Sequence, residues 1–74
     1  MVPITQHAAR RIRERLGLSR SAIQRHVERA WSDGTPLATH EKPEGGCAKQ
    51  YGAFVFLFSS DGALVTVKYA DRRR

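Results

Sequence analysis

"YGAFVFLFSSDGALVTVKYA", residues 51–70, decides how this chain folds. Asp61-Gly62 is a dipeptide favoured by two-residue hairpin turns, and it stands between two runs of β-branched and aromatic residues. With that turn taken, Phe58 faces Val65, Phe56 faces Val67 and Phe54 faces Tyr69, all on one side of the sheet. Turn chemistry and hydrophobic alternation agree on one register, which predicts strands over about 51–59 and 63–70.

Working toward the N-terminus, two helical patterns precede the hairpin. Thr5 is a good N-cap and Gly17 a good stop, so the first helix spans about 5–16, with Ala8, Ala9, Ile12 and Leu16 in one apolar stripe. His7, Arg10, Arg11 and Glu14 project on the other side, with Arg13 and Arg15 on the flanks. The second helix, about 20–31, begins near Ser19 or Ser21 and sets Ile23, Val27, Ala30 and Trp31 on one face. Arg25, Glu28 and Arg29 point away from that face.

Between helix and hairpin, Leu37 to about residue 41 reads as an edge strand, and Pro43, Gly45 and Gly46 turn the remainder into a loop. The expected architecture is one α+β domain over residues 1–74, of order ααβββ, in which two helices cover a small antiparallel sheet ending in a hairpin. Residues 71–74 form a tail. The outer face of the hairpin would carry Val55, Leu57, Leu64, Thr66 and Lys68. With no chain left to cover Val55, Leu57 and Leu64, a homodimer or a docked partner is expected there.

A chain of 74 residues holds one small core. Its formal net charge is +6, and ten of the thirteen cations are arginine, the side chain suited to forked contacts with phosphate. Seven of those arginines lie between His7 and Trp31, against Glu14 and Glu28 alone. Arg10, Arg11, Arg13, Arg25 and Arg29, with Arg72, Arg73 and Arg74 on the tail, therefore form the expected binding surface for a nucleic acid or a nucleoprotein complex.

Other chemistries find less support. The three histidines and the single Cys47 have no metal-ligand spacing, and "PEGG" lacks the strand-turn-helix setting of a phosphate loop, so neither metal nor cofactor is expected. Cys47 has no neighbouring base to make it a nucleophile. His26, at the edge of the apolar stripe, reads as a partly buried histidine bonded to backbone, and His40 has nothing catalytic beside it. A lone cysteine and the lack of any long apolar run place the chain in the cytoplasm and off the membrane.

"ITQHAARRIRERLGL", "VERAWSDG" and "YGAFVFLFSSDGALVTV", in that order, resemble small proteins of phages and mobile elements, a group distantly similar to RelE-type and BrnT-type ribonuclease toxins. The resemblance implies helices ahead of a twisted antiparallel sheet, with basic, aromatic and histidine side chains handling RNA. The matching positions are His7, Arg11, Lys68 and Tyr69, where His7 would move protons and the cations would hold the phosphorane without a metal. The chain is shorter than those toxins and lacks their crowded basic cluster on the last strands. That departure favours a non-enzymatic binder, by analogy an inhibitor of host defence of the anti-CRISPR kind, over a ribonuclease.

Overall fold

The computed structural model describes residues 1–38 and 43–70. Two helices, α1 (Gln6–Leu16) and α2 (Arg20–Asp33), precede four strands, β1 (Thr35–Leu37), β2 (Cys47–Tyr51), β3 (Phe54–Phe58) and β4 (Leu64–Tyr69). The strands form one antiparallel sheet in the order β1-β2-β3-β4, a simple meander. α1 packs over β4 and α2 over β2 on the same face, giving an α+β fold of two layers. Neither helix is long and apolar enough to cross a membrane.

Both helices start where their caps dictate. The Thr5 hydroxyl accepts from the Ala8 N–H at 3.1 Å, and Ser19 does the same for Ala22 at 3.3 Å. Each such cap is worth about 1 kcal/mol against alanine. Gly17 closes α1 in a left-handed conformation and returns its N–H to the Arg13 carbonyl. α2 runs two residues past the expected end, because the Gly34 N–H still bonds the Ala30 carbonyl at 2.9 Å. Ala8, Ile12, Ile23, Val27 and Ala30 are buried as the stripes require, while Trp31 remains 37% exposed.

The sheet has one strand more than the sequence suggested. The run read as a single strand over 51–59 breaks at Gly52-Ala53, a two-residue loop between the paired Tyr51 and Phe54, and everything before it belongs to β2. A turn over Pro43–Gly46 delivers the chain into β2, closed by the Gly46 N–H on the Pro43 carbonyl at 2.8 Å. A side chain at Gly46 would place its Cβ 2.0 Å from the Phe58 carbonyl oxygen, so only glycine lets β2 begin this close to the end of β3. The edge strand is Thr35–Leu37 rather than 37–41, whose last three residues lie outside the described part.

The hairpin register also needs correction at one point. Its loop has three residues, Ser60-Asp61-Gly62, with Gly62 N–H to Ser59 O at 3.0 Å and Ser59 N–H to Ala63 O at 2.8 Å. Gly62 takes φ +89°, the left-handed position that such loops give to glycine. Phe58 consequently pairs with Leu64 and not with Val65. Between that pair and Leu57–Thr66 the register shifts by one residue, leaving Val65 as the extra residue of β4. The bulge restores the expected Phe56–Val67 and Phe54–Tyr69 pairs.

Leu64 therefore turns to the helix side. It joins Phe56, Phe58, Val67, Ile12, Ile23 and Val27 in the main core, and is withdrawn from the partner face on which the simple alternation had put it. Val55 and Leu57 do face away from the helices, but they are only 6% and 5% exposed. On that face Leu37, Ala48, Leu57 and Thr66 line up across the four strands, and Ala48, Val55 and Leu57 form a second buried cluster flanked by Leu37 and Ala70. The outer apolar face is thus largely covered within one chain.

The first residues close the structure. Ile4 makes a parallel bridge with Leu64, whose N–H bonds the Pro3 carbonyl at 2.8 Å and whose carbonyl takes the Thr5 N–H at 3.2 Å. Val2 is buried in the core, its N–H on the Glu28 carboxylate at 2.5 Å and its carbonyl on the Gln24 amide at 2.9 Å.

Phe56 and Phe58 are the largest fully buried side chains, and Phe56 sits at the middle of β3. Phe56→Ala should destabilise the domain by roughly 3–5 kcal/mol in urea unfolding. A loss below about 1 kcal/mol would mean that this face of the sheet does not carry the core.

Candidate polyanion-binding surface

With the apolar stripes turned to the sheet, the arginines of the helical layer take the remaining positions. Arg10, Arg13, Arg20, Arg25 and Arg29 are exposed; Arg11 and Arg15 are half-buried on the flank of α1. Arg15 lies over the Tyr69 ring, its guanidinium carbon 5.0 Å from the centroid, and its Nε is buried without a hydrogen-bond partner. Tyr69, expected in the core, is 52% exposed at the end of the sheet, where it leans on Phe54 at 5.3 Å. An exposed aromatic ring beside a guanidinium can stack with a base or another planar group.

Acidic neighbours do little to neutralise this layer. Among the described residues the ion pair is Arg29–Asp33, 3.4 Å apart and exposed on both sides, a kind of contact worth about 0–1 kcal/mol. Glu14, one turn from Arg10 and Arg11, forms none. The Glu28 carboxylate is turned inward to the N-terminal segment, accepting from the Val2 N–H and from the Gln24 amide at 2.7 Å. Those bonds, the backbone one first, hold its carboxyl below its ordinary value of 4.5. Asp61 is likewise lowered by the Ser59 hydroxyl.

Of the residues matched to the ribonuclease toxins, His7 and Arg11 lie one turn apart on α1, but they are not gathered with Lys68 and Tyr69 into one site. α1 runs beside β4 from the Leu64 end, where Thr5 touches Val65, to the Tyr69 end, where Arg15 lies. His7, exposed, is thus eight residues of helix from Arg15, about 12 Å of rise. Lys68 pairs with Val55 on the outer face, and Tyr69 pairs with Phe54 on the helix face. The sheet itself lies between them. Among the described residues no three His, Cys, Asp or Glu side chains are grouped to hold a metal ion. His40 and Arg72–Arg74 lie outside the described residues.

Two features escaped the sequence reading. Lys49 reaches up from β2, donating to the Trp31 carbonyl at 2.6 Å with its Nζ 4.4 Å from the Trp31 ring centroid, while that ring meets Phe58 edge-on at 4.8 Å. This closes the Trp31 end of α2. Further back, Arg25, His26 and Arg29 of α2 and Tyr51 of β2 line a small recess. His26 bonds the Ala22 carbonyl through Nδ1 at 3.1 Å, as expected for a partly buried histidine. Tyr51 is the first residue of the strand expected over 51–59, and the break at Gly52-Ala53 sets it instead at the end of β2, beside α2.

Because the Glu28 carboxyl is depressed in the folded chain, its stabilising contribution is complete above 4.5 and disappears as pH falls through its lower folded value. Thermal stability should decline on acidification over that range, and Glu28→Gln should lower stability at neutral pH and flatten the acid slope. A slope unchanged by the substitution would move the acid sensitivity to Asp61. No protein-family model, curated protein or solved structure matches the chain, so a functional reading has to rest on this surface.

Proposed function

We propose that this protein is a non-enzymatic binding module whose helical layer engages a nucleic acid or a nucleoprotein complex. One observation carries the reading: of the seven arginines on the two helices, Arg29 alone is ion-paired among the described residues, while Glu28 is spent on the N-terminal segment. Uncompensated guanidiniums above a rigid sheet form a positive field, and contact with phosphates releases the counterions condensed on a nucleic acid. The exposed Tyr69 beside Arg15 adds a stacking platform at one end. The role suggested by the resemblance to phage proteins, inhibition of a host nucleoprotein machine, belongs to the same proposal.

Arg10, Arg11, Arg25 and Arg29 all lie outside the core, so replacing them together by alanine should preserve the far-UV spectrum and the unfolding midpoint. The same variant should bind single-stranded RNA or DNA more weakly, with a shallower dependence of log affinity on log salt, about 0.7–0.9 lost per phosphate contact removed. Unchanged affinity and slope would remove the arginine layer from the account. Cleavage of the RNA during the assay would transfer the assignment to the ribonuclease reading.

A further inference from the structure

The recess between α2 and β2 has a composition unlike the rest of the surface. Arg25 and Arg29 supply two guanidiniums, His26 an imidazole, and Tyr51 a phenol, and among the described residues no carboxylate lines it. Its volume is about 160 Å³, below the roughly 300 Å³ at which pockets for drug-sized ligands begin, so it suits a small group rather than a whole nucleotide.

Each lining residue is held by a different cause. Arg25, His26 and Arg29 occupy one flank of α2, with His26 and Arg29 three residues apart and Arg25 and Arg29 four apart, spacings that bring side chains together on a helix. Tyr51 comes up from β2, its ring against the main core. His26 Nδ1 is committed to the Ala22 carbonyl, which fixes the ring and leaves Nε2 to meet a ligand, as a donor once the imidazole is protonated. Among the described residues neither Arg25 nor the Tyr51 hydroxyl has a hydrogen-bond or ion-pair partner. Arg29 has Asp33, but that pair is exposed and weak enough for a doubly charged anion to displace.

We infer that this recess is a phosphate-binding site: Arg25 and Arg29 grip a tetrahedral oxyanion while His26 Nε2 and the Tyr51 hydroxyl complete its hydrogen bonds. It deepens the nucleic-acid reading above and rests on it for the source of the phosphate, either the terminus or the backbone of a strand. It differs from that reading in being a defined subsite rather than a diffuse field.

The test follows the ring resonances of His26 by NMR in the intact protein, titrated with inorganic phosphate and with two single strands of identical sequence, one carrying a 5′-phosphate and one a 5′-hydroxyl. With phosphate, the His26 resonances should move saturably while those of the exposed His7 do not. Arg25→Ala or Arg29→Ala should weaken phosphate at least tenfold, Tyr51→Phe should weaken it several-fold, and Asp33→Asn should tighten it by freeing Arg29, each without change in the unfolding midpoint. A tenfold preference for the 5′-phosphorylated strand assigns the site to a chain end, and equal affinity with His26 moving in both assigns it to a backbone phosphate. A His26 signal that ignores phosphate and both strands, while the strands still bind, overturns the recess and leaves the arginine layer standing. A His26 response to phosphate without binding of either strand supports the recess and overturns the nucleic-acid reading.

Discussion

Burial of the Phe56–Val67 and Phe58–Leu64 pairs beneath the two helices is the constraint on which the other features depend. A chain this short has few apolar residues to hide, and these pairs must meet the stripes of α1 and α2 on a single face. The three-residue loop at Ser60–Gly62 would by itself carry the hairpin one residue out of step. The bulge at Val65 restores the step, so loop and bulge are one device, and the core fixes both.

Placing the helices in this way determines where charge can go. Once Ile12, Ile23 and Val27 point at the sheet, the arginines have only the outer surface and flanks, whatever their use. The selective element lies in the acids. Glu28 could have paired with a neighbouring guanidinium, yet it holds the backbone of Val2 in place, so its charge stays on α2 without binding an arginine side chain. Structural and electrostatic roles are coupled through one carboxylate.

Much of the fold was legible because its signals are local. Thr5, Ser19 and Gly17 cap within a turn, and the Phe56–Val67 pairing follows from period-two alternation. What was hidden depends on distant parts of the chain. "CAKQY" has too little β-branched or apolar character to announce a strand, and it becomes β2 because Gly46 permits its approach to Phe58 and because Gly52-Ala53 folds it onto β3. That omission had two consequences: it left Val55 and Leu57 looking bare, and it kept Tyr51 away from Arg25, His26 and Arg29. The change of side for Leu64 escaped notice because two-residue and three-residue loops share the same Asp-Gly signal.

The bridge from Ile4 to Leu64 ties the start of the chain to its last strand. During synthesis α1 and α2 emerge before any surface exists to receive their apolar stripes, and isolated helices of 11 and 14 residues are marginal in water. Docking therefore has to await β3 and β4. Until then the nascent chain leaves the apolar side chains of Ile12, Ile23 and Val27 open to water.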